Sequence, residues 1–208
     1  MSKKTIDTTR KYSTDFTMNN INERSFADCA EEILDSDLLL FRRRGLISFA
    51  GRGAHTHAAK AAWWNGNIFV LEVREFYGGR AILLESLIAK SPGKIDVFRA
   101  NPENRWPSYR RDKAVSVIQL FAGCEYGYWN VLGTAMTHLP GVRHLLKPDL
   151  NDLTTRGERH RPPFCSQACA IADRLGGGVD PVPHLSDRYT EPADLARSVF
   201  YKYIFTLK

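Results

Sequence analysis

The sequence has no long apolar run. Its apolar runs, such as Leu38 to Phe41 and Ile68 to Leu71, are of strand length, far short of the ~20 apolar residues a bilayer-spanning helix needs. A membrane span is therefore not expected. Cysteine is scarce, with four in 208 residues at positions 29, 124, 165 and 169, too sparse and irregular for a disulfide-stapled secreted domain. Reduced thiols made in a cytoplasm are the expectation. Lys3 and Lys4 give the N-terminus positive charge, but no apolar segment follows them, so no signal peptide is expected and the chain reads as cytoplasmic at synthesis. No internal repeat is present. No helix-turn-helix, zinc-finger or RNA-binding signature accompanies the basic residues, which argues against sequence-specific nucleic-acid binding.

What is present fits a folded globular chain: 43% hydrophobic and 25% charged residues. The net charge of +6 favours anionic partners or surfaces, although the basic clusters at Arg42 to Arg44, Arg110–Arg111 and Arg156 to Arg161 read as solvated faces. Length suits one compact domain with trimmings. Residues 1 to 24 are polar and aperiodic, a flexible or loosely docked leader, and Ser25 to Leu34 reads as a short amphipathic helix. The expected division is a leader with that helix over 1–35 and a domain over 36–208.

Leu38 to Phe41 is the first expected strand. His57 to Val73 is more informative, because two apolar runs flank Asn65–Gly66, the dipeptide favoured in two-residue type I′ turns. Such a turn pairs Trp64 with Asn67, Ala59 with Glu72 and His57 with Arg74. His57 and Glu72 then share a face as diagonal neighbours, ~7–8 Å apart. Further along, Ala81 to Ala89 reads as a strand passing into a helix, Lys94 to Arg99 as a strand and Tyr109 to Phe121 as a helix. Tyr126 to Pro140 is ambiguous. After a basic loop ending in Pro162–Pro163, Cys165 to Leu175 has helical spacing of small and apolar residues, with Gly176 to Gly178 as its stop. Ser198 to Leu207 closes the chain as an apolar strand or helix.

Cys165 thus opens a helix, where unpaired N–H groups favour a thiolate and can hold a developing oxyanion. A strand histidine can take the thiol proton, and a carboxylate behind it can fix the ring. Cys165, His57 and Glu72 supply these three parts. Cys29, Cys124 and Cys169 read as small buried hydrophobes. Two alternatives use overlapping residues: His55 competes as base, and His55, His57, Cys165 and Cys169 form a set with zinc-ligand chemistry. The zinc set ranks lower, because Cys169 falls on the apolar stripe of its helix; no metal or other cofactor is expected.

The order Ser36-Asp-Leu-Leu-Leu-Phe, Thr56–His57–Ala58, Phe69-Val-Leu-Glu72-Val, Phe164–Cys165–Ser166–Gln167 and Thr190-Glu-Pro-Ala-Asp-Leu-Ala-Arg-Ser198 resembles the circularly permuted branch of the NlpC-type papain-like cysteine peptidases, the YiiX/YebB-like hydrolases. The resemblance covers roughly residues 36 to 205. It departs from the family pattern at Gln167, where Glu is usual, and at Ala58–Ala59–Lys60, which is less β-branched than usual. It implies an α+β, permuted papain-like fold: a central antiparallel β-sheet or barrel with the nucleophile-bearing helix packed on it. It also implies Cys165 as nucleophile, His57 as base and Glu72 as the third polar residue. Phe164 lies where the family's oxyanion-binding backbone is expected, with Ser166 following the nucleophile, and Tyr126 or Tyr128 is expected to line the cleft. The implied activity is amide hydrolysis in bacterial cell-wall stem peptides, the peptidoglycan peptide being the partner. Delivery to the wall would then run through a phage or a secretion machine. The alternatives are a lipid acyl-ester hydrolase or acyltransferase on the same fold, and a non-catalytic, particle-associated binding protein.

Overall fold

Asn65 and Gly66 take φ values of 47° and 75°, the positive pair a type I′ turn demands. The strands on either side, β3 (His57–Trp64) and β4 (Asn67–Arg74), pair with Trp64 opposite Asn67 and Lys60 opposite Leu71. This is the register read from the sequence. The structure is a computed structural model that describes residues 21–42, 54–127 and 162–208. Around the hairpin it adds β1 (Glu23–Arg24), β2 (Leu38–Phe41), β5 (Gly78–Leu83), β6 (Ile95–Ala100) and β7 (Tyr201–Leu207). The seven strands form one mixed sheet in the order β1-β7-β6-β2-β3-β4-β5. Every pair is antiparallel except β1 with β7.

Among the described residues the α-helices are α1 (Phe26–Cys29), α2 (Leu84–Lys90), α3 (Arg111–Gln119), α4 (Cys165–Ile171) and α5 (Pro192–Arg197). Strand alternation divides the apolar side chains into two cores. Leu38, Leu40, Ala58, Ala62 and Leu71 pack with α3, α4 and α5 through Ala114, Ile118, Cys169, Ala172 and Leu195. Leu39, Ala59, Ala61 and Val70 pack with Cys29, Leu84, Leu87 and Ile88 on the other side. The small residues of α4, with Ala168, Cys169 and Ala170 all at 0% exposure, let its backbone approach β3 and β4 closely. Ala58 and Ala62 do the same from the strand, so a run poor in β-branched residues serves close packing here.

Several expectations shift. The leader's last residues, Glu23–Arg24, pair in parallel with Thr206 and Leu207; two residues give no readable period. The first helix is one α-turn followed by a 3₁₀ turn, Ala30–Glu32. After Ile171 the α4 helix changes pitch. Its continuation is a π-helical turn over Ala172–Gly177, and the helix ends at the expected glycine stop, with Gly178 at φ 79° capping it in the left-handed region. The basic clusters are not simply solvated: Arg42 binds Asp96 and Arg111 binds Asp37, leaving Arg110 exposed beside Asp112. Arg43, Arg44 and the cluster at Arg156 to Arg161 lie outside the described residues.

Candidate active site

Cys165 is the first residue of α4, with Phe164 extended (φ −99°, ψ 177°) at the N-cap. His57 is the first residue of β3 and Glu72 lies near the end of β4. The hairpin register makes the two diagonal neighbours, and His57 Nε2 meets Glu72 Oε2 at 2.6 Å. The Cys165 thiol is close enough to couple electrostatically with the His57 ring, and with Nε2 on Glu72 the nitrogen left for sulfur is Nδ1. Glu72 is 3% exposed, so it does not take the solvent-facing position that an isolated Glu in a strand usually would.

Arg80 was not legible as part of this group. It sits on β5 directly opposite Glu72, and its Nε and Nη2 donate to Glu72 Oε1 at 2.8 and 2.6 Å. Oε2 is thereby left for the imidazole. The signal was an opposite-charge cross-strand pair, but the β4–β5 connection runs through Glu75, Phe76 and Tyr77 without a hairpin dipeptide. Phe76 takes the left-handed φ of 67° there, so the pairing of β5 was not readable.

The electrostatics follow from these contacts. Burial pushes the Cys165 thiol up, but the His57 charge, the hydrogen bond from the ring and the backbone N–H groups of Ala58 and Ser166 together bring it below the ordinary thiol range. Burial likewise opposes charge on His57, yet the Cys165 thiolate and the hydrogen bonds to Cys165 and Glu72 raise the ring to about 9. Glu72, against its own burial, is lowered to about 2 by His57 and Arg80. The arrangement is that of a thiol whose ionisation the neighbouring imidazole favours, the ring itself being backed by a carboxylate and a guanidinium. Such a sulfur has the chemistry of a nucleophile, and a ring beside it that of a group able to give a proton to a leaving group and take one from water.

The other expected site residues fall as follows. Ser166 is 0% exposed and its Oγ donates to Thr190 O at 2.8 Å; its side chain holds α4 to the following segment and does not line a cleft. Phe164 and Tyr126 are buried together with Val73, Cys165 and Ala168. Tyr126 also borders a cleft of about 370 Å³ with Phe76, Tyr77 and Cys124. Tyr128 lies outside the described residues. His55 is engaged with a different carboxylate: its Nε2 meets Asp96 Oδ2 at 2.7 Å, in a group with Arg42 and Thr206. The His55, His57, Cys165 and Cys169 set is therefore not assembled. Burial raises the Cys169 thiol well above its ordinary value, and among the described residues no group of three or more His, Cys, Asp or Glu side chains is arranged to hold a metal ion.

No family model matches the chain, and no curated protein matches it. Solved structures do. One is the crystal structure described as "metalloprotein yiiX from Escherichia coli O157:H7, DUF1105", with 11% sequence identity and a TM-score of 0.57, covering 84% of this chain and 97% of that one. At that identity the likeness is one of fold: this is an α+β chain of YiiX-like architecture.

Proposed function

We propose that the chain is a cysteine hydrolase that cleaves an amide bond through a thioacyl-enzyme on Cys165. The observation that carries this reading is the continuous line from the Cys165 thiol through His57 to Glu72 and Arg80. The thiolate attacks the scissile carbonyl, and the His57 imidazolium gives its proton to the departing amine as the C–N bond breaks. A water molecule, deprotonated by His57, then attacks the thioester, releasing the acid and restoring the thiolate. Glu72 holds the ring and favours its charged form, as the third member of such triads does. Chain order, with His57 ahead of Cys165, and the YiiX-like fold both support a permuted papain-like, NlpC-type arrangement. Through that resemblance, cell-wall stem peptides are the favoured substrate class. Lipid acyl esters are the second reading, favoured by the aromatic wall that Phe76, Tyr77 and Tyr126 give the neighbouring cleft.

The test is incubation with purified sacculi and, separately, phospholipid vesicles, with mass spectrometry of the products in the presence and absence of a chelator. The expected result is new amine and carboxyl ends in stem peptides, unaffected by chelation. Fatty-acid release without peptide cleavage would establish the second reading instead. Turnover that needs added zinc and survives Cys165→Ala would overturn both. An intact Cys165 chain that yields no product from either substrate, its thiol being unreactive, would favour the non-catalytic reading.

A further inference from the structure

Lys60 and Asp173 are both 0% exposed, and the Lys60 Nζ lies 2.8 and 2.7 Å from the two Asp173 oxygens. Lys60 comes from β3, three residues beyond His57. Asp173 comes from the π-helical turn that continues α4, eight residues beyond Cys165. A shell of neutral groups completes the cluster. Tyr109 and Tyr201 donate their hydroxyls to Asp173, Ser36 Oγ shares a hydrogen bond with Tyr109, and Lys60 also reaches Ser36 O and the Tyr201 hydroxyl.

We infer that the Lys60–Asp173 pair is a clamp that fixes the angle and spacing between α4 and β3 and so sets Cys165 against His57; the inference rests on the catalytic reading above. The geometry gives the reason. Cys165, Cys169 and Asp173 recur every four residues and therefore lie along one stripe of the helix. The two links between strand and helix, His57 with Cys165 and Lys60 with Asp173, are separated by ~12 Å of helix and ~10 Å of strand. Two such tie points hold two rods at a fixed crossing, where one would leave a pivot. A buried ion pair is a poor way to gain stability, since apolar residues of similar volume do as well or better. What it supplies is a directional, all-or-none contact. Cys169 lies between the two links, and its raised thiol leaves it unreactive beside Lys60. Lys60 and Asp173 are thus positioning residues, acting through the elements that carry the thiol and the ring.

The test compares the pH dependence of Cys165 alkylation by iodoacetamide, mapped by peptide mass spectrometry, in the parent chain and in K60M/D173N. This double substitution removes both charges together and keeps the shapes. Circular dichroism reports whether it folds. The expected result is a folded variant whose Cys165 reacts about tenfold or more slowly at pH 6, with its midpoint moved up toward that of an ordinary thiol. Should K60M/D173N fail to fold, Tyr201→Phe, which removes one hydroxyl and keeps the ion pair, is expected to move the midpoint in the same direction by less. A folded variant that melts at a lower temperature yet keeps the parent's Cys165 rate and midpoint would overturn the clamp and leave the pair a purely structural one. A parent chain whose Cys165 reacts only in the ordinary thiol range would overturn the catalytic reading itself, and the clamp with it.

Discussion

His57→Ala should slow acylation of Cys165 by an activated ester about a hundredfold or more in single-turnover measurements. The loss has two sources in the structure. The thiol loses the ring that holds it below the ordinary thiol range, and the leaving group loses its proton donor. His55→Ala should leave the acylation rate close to the parent's, because the His55 ring is committed to Asp96 at 2.7 Å and packs edge-on against Phe98. Its cost should appear in stability, with Arg42 and Thr206 left to hold the buried Asp96 carboxylate. Glu72→Gln should be intermediate: the amide oxygen can still accept the ring N–H but does not favour the charged ring. The pH profile adds a signed check. A ring raised to about 9 keeps its proton below that value, so amide turnover should fall as pH rises through about 9. In Glu72→Gln that fall should come at lower pH. Equal losses for His55→Ala and His57→Ala would contradict the site as described.

The second large effect is on stability. Lys60→Ala leaves the Asp173 carboxylate, 0% exposed, without the cation that pairs with it among the described residues and should cost about 3–5 kcal/mol. Urea unfolding of the parent and variant checks this through the midpoint at unchanged slope. The K60M/D173N chain, from which both charges are gone, should lose distinctly less than Lys60→Ala. A Lys60→Ala loss under about 1 kcal/mol, the range of an exposed pair, would mean that the pair is not sealed from water.

What could be read from the sequence was what lies close along the chain. The Asn65–Gly66 turn fixes a two-residue hairpin, and alternation then carries His57 and Glu72 to one face without tertiary information. The start of α4 at Cys165 was equally local, set by Pro162–Pro163 before it and small residues after it. The Lys60–Asp173 pair was not legible, because its members are 113 residues apart and neither sits in a motif. Lys60 in a strand and Asp173 in a helix each look like surface residues until the fold brings them together. Arg80 was hidden for a different reason: the turn that pairs β5 with β4 places Phe76 in a backbone conformation that glycine would normally signal. The parallel edge strand at Glu23–Arg24 is held to β7 by backbone bonds, Thr206 N–H to Asn22 O and Lys208 N–H to Arg24 O, which leave no mark in side-chain pattern. Ser166 shows the converse. Its place directly after Cys165 suggested substrate contact, yet it is buried with its hydroxyl on Thr190 O.

In the proposed reaction Cys165 carries the acyl group. The most direct test is to mix the protein with p-nitrophenyl acetate, quench in acid during the first turnover and map the adduct by peptide mass spectrometry. One acetyl group on Cys165, absent from Cys165→Ala and slow to form in His57→Ala, is the predicted result. Acetylation of Cys29 or Cys124 in its place, or the same product release from Cys165→Ala with no adduct at all, would contradict it.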